Sequence, residues 1–568
     1  MPIPPQSEKD AVTEELQRLW SDGSSAESLQ RIITKSNFSP TDIDNRYNIR
    51  KRCWPVLFRN DFEGRVIDLT NGYGHVANII SHLAQQSVFA SNSRHSLIVA
   101  AQHANRNNTN LDIVQASTAQ IPFDYHTFDS VIIDCRTTTG EGIDALRTIE
   151  PKKFLTEDGV LFATADTSTR ALKTLAGEYP LSDQDIPNTS DSVRRLVTQS
   201  TPAFIRSLRR QGFDAIDTYA LFPGVGFPEY IFSLDDSDNV FNWLSSHDVP
   251  YAELFERIGH QSAIKFLLPD LLFVCAGRDS YLPQPTEDLL IMGNHRTVGL
   301  QFDDKSISTV RKIPLERRCE QFNIQDNRIR KNLREQNIHP NALPESSVSE
   351  GPIGTELIEY PIDGTPVSEL VNSDEYERII TRVVDWLIGL HTATLTKIDH
   401  RDTGTVRSDL TFEPLNLTPG TVQSAEVPVA TIHGDFQPKN IYVEDGEIQY
   451  VTDWEYAKKE CNSIIDIASF VIYFATNRYS DFQKGFENAF VRQCHFSDVI
   501  SNQVERYCSQ LGISKSCFIQ YLSMPYLHYL RTHQAAGTFT YYVDAVYHSK
   551  QYKYIWKRYP DIQSRFVI

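Results

Sequence analysis

Asp435, Asn440 and Asp453 are residues of this chain whose types and spacing could do chemistry. They stand in "TIHGDFQPKNIYVEDGEIQYVTDWEYA", Thr431 to Ala457. Phosphoryl transfer needs such a set. One carboxylate orients an attacking hydroxyl and takes its proton, while an amide oxygen and a second carboxylate hold magnesium against nucleotide phosphates. Hard oxygen ligands suit magnesium, which takes only one or two carboxylates from protein and keeps several waters. The elements that must position these groups are legible. "VATIH" is a short apolar strand, so Asp435 falls in the loop just after it. "NIYVEDGEIQYVTD" is a hairpin, because Asp445-Gly446 supplies the positive-φ turn that two-residue loops prefer. Asn440 then begins the hairpin, and Asp453 closes its second strand, folded back toward Asn440.

The Asp–x4–Asn spacing equals that of the protein-kinase catalytic loop. With "DWE" after it, "HGDFQPKN" resembles the aminoglycoside phosphotransferase and choline kinase superfamily. The resemblance implies a general base at Asp435 and magnesium ligands at Asn440 and Asp453. It also implies that His433 buttresses the loop, that Glu455 is a nearby supporting carboxylate, and that Asp466 in "SIIDIASF" braces the loop. Lys312 in "STVRKI" would contact the nucleotide phosphates, with Glu316, Glu320 and Asp326 as candidate acidic partners. "ELIEYPIDG" resembles the interlobe hinge, with Glu359, Tyr360 and Ile362 passing the adenine edge of ATP. "WLIGLHT" resembles the helix that precedes the catalytic loop. Gly293 and Gly299 flank a looser hairpin in place of a full glycine-rich loop. The resemblance covers residues 285–568.

A second candidate site lies in "RVIDLTNGYGHVANII". Small residues at a strand-to-helix turn let the backbone approach a nucleotide-like ligand. The stretch resembles motif I of class I S-adenosylmethionine-dependent methyltransferases, and "ASTAQIPFDYHTFDSVIID" resembles a later region of that family. The resemblance implies S-adenosylmethionine as cofactor, with Asp68, Gly72, Gly74 and Asn92 around it. Three positions depart from the pattern. Thr70 replaces the first glycine, Asn92 stands where an acid would hold the ribose, and Ala116 or Ser117 where one would meet the adenine. Two lost charge-assisted contacts weaken binding by roughly tenfold to several hundredfold. An active methyltransferase and a degenerate fold kept as a scaffold both remain open.

From Arg65, strands alternate with helices through "DLLFVCAGR", which implies parallel βαβ units. The expected architecture is α/β. A Rossmann-like, methyltransferase-type doubly wound sheet is followed by a two-lobed (α+β) protein-kinase-like phosphotransferase fold. Its parts are a helical lead-in over 1–45, the first domain over 46–278, a linker over 279–287 marked by "DSYLPQPTED", an N-lobe over 288–362 and a C-lobe over 363–568. The net charge of −18 argues against nucleic acid or anionic lipid as a broad-surface partner. No apolar run reaches the ~18 residues of a membrane span, and the N-terminus has no signal-peptide pattern. Eight scattered cysteines without a CxxC pair point to a reducing, cytoplasmic setting without zinc. Arg194, Arg195, Arg206, Arg209 and Arg210 read as a solvated helix face, and the C-terminal tyrosines as core. The function expected is an ATP- and magnesium-dependent kinase for a small-molecule or glycan hydroxyl. The alternative is a non-enzymatic nucleotide-binding scaffold or pseudokinase that docks a protein partner.

Overall fold

The computed structural model describes residues 53–566 except 71, 118–119, 136–142, 167–200, 223–227, 235–237, 247–269, 278–280, 294, 304–305 and 537–539. The lead-in expected over 1–45 lies outside them, as do Arg194 and Arg195. The chain forms two compact units. The described part of the first runs to Arg317 and takes in Glu350–Glu356, and that of the second comprises Arg318–Ser349 and Leu357 onward.

The first unit is built on β1 (Arg65–Asp68), β2 (Gln86–Ser91), β3 (Leu111–Gln115), β4 (Phe128–Asp134) and β5 (Leu155–Asp166), interleaved with α1 (His75–Ile80), α2 (Arg94–Asn107) and α3 (Ile143–Ile149). β1 pairs in parallel with β2 and β4, β2 with β3, and β4 with β5. Successive side chains of a strand point to opposite faces. Val66 therefore enters one apolar cluster and Ile67 another, and both are buried. Strands buried on both faces read as continuous apolar runs, which is why "RVID" and "SVIID" lack alternation.

α4 (Thr201–Arg210), β6 (Ala215–Phe222), β7 (Tyr230–Ser233), α5 (Asp238–Ser246) and β8 (Asp270–Ala276) complete this part. β8 slots antiparallel between β5 and β6, and β7 pairs antiparallel with β6. The sheet does not stop there. β9 (Leu289–Met292) pairs antiparallel with β7, and β10 (Arg296–Asp303) and β11 (Ser306–Pro314) follow. Within the unit the order is β3-β2-β1-β4-β5-β8-β6-β7-β9-β10-β11.

The division therefore differs from the boundary read at 279–287. Two prolines do interrupt the strands there, but the segment is pinned to the first unit, with the Thr286 amide donating to Leu57 O at 2.9 Å. A buried ion cluster adds to this. Arg59 grips Glu287 through both Nη atoms at 2.6 and 2.7 Å and Glu356 through Nε at 2.8 Å, while Arg311 reaches Glu356 at 3.1 Å. Gly299 and Gly351 make room for it: a Cβ on either would come within 2.4 Å of Glu287 or Glu356.

In the second unit, α6 (Glu320–Glu335) is followed by β12 (Ser346–Glu350) and β13 (Thr355–Glu359), which carry the turn assigned to the first unit. Two small sheets then form. β14 (Thr365–Pro366), β17 (Ile441–Glu444) and β18 (Glu447–Val451) make one, and β15 (Lys397–Arg401), β16 (Ala425–Ile432) and β19 (Lys458–Asn462) the other. β15 and β19 were not expected in a stretch read as mostly helical; their short polar faces carry little strand signal. The helices are α7 (Val367–Leu370), α8 (Tyr376–Ala393), α9 (Thr403–Asp409), α10 (Ile464–Tyr479), α11 (Phe482–Phe490), α12 (His495–Gln510), α13 (Lys515–Gln520), α14 (Met524–Ala536) and α15 (Thr540–Phe566). α10 is apolar nearly all round and runs through the core, as "IIDIASFVIYFA" dictates. Tyr521, Tyr526 and Tyr552 are core residues, in line with the sequence reading.

Candidate active site

β16 is apolar on both faces and ends at Ile432, so the loop His433–Asn440 emerges from the core of the second unit. Gly434 sits in the left-handed region at φ +84, and a Cβ there would come within 2.3 Å of Tyr456 O. Only glycine fits that combination. Asp466, in the first turn of α10, holds this bend from beneath. Its carboxylate accepts the His433 amide at 2.7 Å and the Gly434 amide at 2.8 Å, and His391 Nε2 lies 3.2 Å away. Burial pushes the Asp466 carboxyl up, but His391 and the loop amides outweigh it and hold it below its ordinary value. Behind it, His391 Nδ1 meets Tyr507 OH at 2.8 Å, and Tyr507 donates to Ser463. His433 lies between the loop and the hairpin. Its Nε2 reaches Thr452 O at 2.7 Å and its Nδ1 accepts the Asp435 amide at 3.3 Å. These contacts select the tautomer protonated at Nε2.

Asp435 is half-buried at the mouth of this arrangement. Asn440 Nδ2 donates to its backbone oxygen at 3.0 Å and to Oδ2 at 3.2 Å, and the Gln437 amide donates to Oδ1. Burial raises the Asp435 carboxyl above the usual range, against the pull of Lys439 and Gln437. A raised carboxyl is one a general base can use. The hairpin forms as expected, with Asp445 at φ +51 and Gly446 at φ +75 in its two-residue turn. Ile441 pairs with Val451, and the Thr452 amide donates to Asn440 O at 2.9 Å. Asp453 thus follows the residue bonded to Asn440. It takes the left-handed conformation, φ +62, and opens the turn Trp454–Tyr456. Strained backbone of this kind concentrates at functional sites.

Among the described residues no group of three or more His, Cys, Asp or Glu could hold a metal, and magnesium needs no such group when nucleotide phosphates complete its shell. Lys312 is buried on β11 in the first unit. Of its candidate partners, Asp326 pairs with Arg330 at 2.7 Å, and Arg330 also takes Glu359 at 2.6 Å. The Glu359 side chain thus stabilises this triad, Tyr360 is exposed, and Ile362 lies just past β13. Gln437, Thr452, Tyr507 and Ser463 escaped the sequence reading, and only the Leu-His end of α8 hinted at His391.

In the first unit Asp68 is fully buried at the end of β1. Its Oδ1 accepts the Thr70 amide at 2.8 Å and its Oδ2 the Ala77 amide at 3.0 Å, so it organises the turn into α1. Gly74 adopts φ +70, and a Cβ there would meet Ala100 Cβ at 2.5 Å. Gly72 lies in the same turn, its amide on Thr70 O. Asn92 is exposed just past β2. β1 and β4 flank the point where strand order reverses, where a crevice binds ligands in such sheets. Asp68 ends β1 and Gly74 lies in the turn that follows it at that point.

No protein-family model and no curated protein matches this chain. Solved structures similar to it include the YcgJ protein of Bacillus subtilis, with 16% identity over 39% of this chain and 94% of that one, TM-score 0.23. The PH0226 protein of Pyrococcus horikoshii OT3 has 13% identity over 38% of this chain and 82% of its own, TM-score 0.25. The phosphoethanolamine N-methyltransferase 2 of Haemonchus contortus, solved with S-adenosylhomocysteine, has 14% identity over 44% and 60%, TM-score 0.26. At these scores no activity follows, and the α/β assignment of the first unit rests on its strand order.

Proposed function

We propose that the second unit supplies the catalytic base and metal ligands of an ATP- and magnesium-dependent phosphotransferase. Its acceptor is a hydroxyl of a sugar, glycan or aminoglycoside-like molecule. The observation that carries this reading is the joining of Asp435, Asn440 and Asp453 by one loop and one hairpin. Asp435 orients the acceptor hydroxyl and takes its proton. Asn440 anchors the base through its amide nitrogen, leaving the amide oxygen for the metal beside Asp453. Magnesium bound there supplies charge neutralisation at the phosphates. His433 and Asp466 keep the loop in register, Glu455 supports the metal side, and the Glu359–Ile362 hinge is the proposed contact to ATP. The sequence resemblance supports this division of roles. Magnesium-dependent ATP turnover that disappears in Asp435→Asn is the expected result. ATP binding without turnover across a broad acceptor panel would instead favour a scaffold that docks a protein partner.

The first unit, on this reading, takes S-adenosylmethionine in the crevice beside β1 and β4. The strand reversal and the Asp68-braced turn support it. Calorimetry on the full chain tests it. Asp68→Ala is a poor probe, because it removes two hydrogen bonds that build the turn. Asn92→Asp is the better one: a charge-assisted bond to the ribose should tighten binding about tenfold. No heat at millimolar cofactor in either protein would leave this unit as a scaffold. The eight free thiols fit a cytoplasmic setting, and among the described residues no helix is long and apolar enough to cross a membrane.

A further inference from the structure

Trp386 touches the neighbours of both aspartates that carry the proposed chemistry. It lies on α8 and is buried. Its indole stacks on Phe436, the residue after Asp435, with centroids 5.5 Å apart and planes 12° apart. It also meets Trp454, the residue after Asp453, at 6.2 Å and 56°. His433 closes the cluster from the loop, 5.6 Å from Phe436 and 4.6 Å from Trp454. Each pair falls within about 4.5–7 Å, where aromatic rings attract one another. Phe436, Trp454 and His433 are fully buried. The loop that bears Asp435 and the turn that bears Asp453 thus share one side chain that belongs to neither.

Packing alone sets the plane of that ring. Among the described residues the buried indole Nε1 has no hydrogen-bond partner, where a buried tryptophan usually finds one. A further ring holds it: His339 stacks on Trp386 at 4.8 Å and 24°. His339 belongs to the same unit and follows α6. It takes the left-handed conformation, φ +43, which a residue other than glycine rarely adopts. Gly389, three residues beyond Trp386 on α8, leaves the space for the imidazole. A Cβ there would come within 2.7 Å of His339 Nε2. Glycine weakens a helix interior relative to alanine, and the seat of the imidazole accounts for its presence here.

We propose that Trp386, held by His339, is a positioning residue that fixes the placement of Asp435 relative to Asp453, and so of the base relative to the metal. The inference rests on the phosphotransferase reading and adds to it residues that act only through Phe436 and Trp454. Three variants of the full chain test it. Gly389→Ala pushes the imidazole off the indole while Trp386, Phe436 and Trp454 keep their side chains, and helix propensity alone would make it stabilising. Trp386→Leu removes the shared ring. Trp386→Phe keeps a stacking partner for Phe436.

Amide hydrogen exchange of peptides spanning 433–440 and 452–457 is the first readout, and it needs neither substrate nor turnover. Exchange in both should quicken about tenfold in Gly389→Ala and more in Trp386→Leu, and stay near the parent in Trp386→Phe. Magnesium-dependent ATP turnover is the second. Gly389→Ala should lower kcat about tenfold and raise the magnesium concentration that gives half the maximal rate, and Trp386→Leu should lower kcat about 100-fold. A merely structural role would lower the melting temperature and move neither quantity well below it. Unchanged exchange in Gly389→Ala, or equal losses in Trp386→Phe and Trp386→Leu, overturns the inference. Should Trp386→Leu fail to fold, Gly389→Ala alone decides. Turnover that is missing, or that survives Asp435→Asn, would sink the phosphotransferase reading separately, because the exchange result does not depend on it.

Discussion

Asp466→Asn is the sharpest test of how the loop is held. The carboxylate accepts two backbone amides and faces His391, all out of water. Asparagine offers one oxygen to the two amides and turns an NH2 group against the other. The retained bond falls from about 1.5–3 to about 0.5–1.5 kcal/mol, and the orphaned amide costs about 1–3 kcal/mol. The sum is about 3 kcal/mol. At roughly 2–4 °C per kcal/mol for a unit of this size, melting should drop by about 10 °C. The sign with pH follows from the lowered Asp466 pKa. Its contribution is fully present above the unfolded value of about 3.9 and is lost as pH falls through the lower folded value, so the variant should lose that acid limb. Loop displacement should also lower kcat roughly 100-fold, since a shift of about 1 Å costs that much. Differential scanning calorimetry and ATP turnover read the two effects. A variant melting within about 1 °C of the parent, or one that turns over ATP at the parent's rate, would refute the reasoning.

Other outcomes follow from the same structure. Burial lowers His528 to about 4, so the unfolded chain takes up its proton first as pH falls. Stability should decline between about pH 6.5 and about pH 4 by about 3 kcal/mol, and His528→Gln should flatten that part of a denaturation-versus-pH curve. Arg59→Met strands Glu287 and Glu356 with only Arg311 nearby, and should cost about 3–5 kcal/mol in urea unfolding. An unchanged midpoint would mean that the cluster does not join β9–β11 to the rest of the unit. Gly434→Ala meets Tyr456 O at 2.3 Å from a positive φ, and should abolish ATP turnover at least 100-fold while far-ultraviolet circular dichroism stays the same.

The local units were legible from sequence for a physical reason. Asp445-Gly446 carries its own turn preference, and the apolar runs "RVIDL" and "VATIH" declare buried strands without help from distant residues. Asp435, Asn440 and Asp453 were therefore placeable, because the hairpin that joins them is short. The alternation of strands and helices likewise announced the parallel pairing of β1 to β5. Contacts between groups far apart in sequence were not legible. The resemblance implied that Asp466 braces the loop, but its sequence neighbours do not announce which amides it accepts, those of His433 and Gly434, or that His391 and Tyr507 stand behind it. The prolines of "DSYLPQPTED" signal a break in local structure, and a break reads as a boundary. Only the pairing of β9 with β7 and the buried grip of Arg59 on Glu287 and Glu356 decided that the sheet continues past it. Gly299 similarly reads as a phosphate-loop glycine, whereas the folded chain uses its missing side chain to admit Glu287. Local propensity acts within a few residues, while the burial that pairs charges and extends sheets is set by the whole chain.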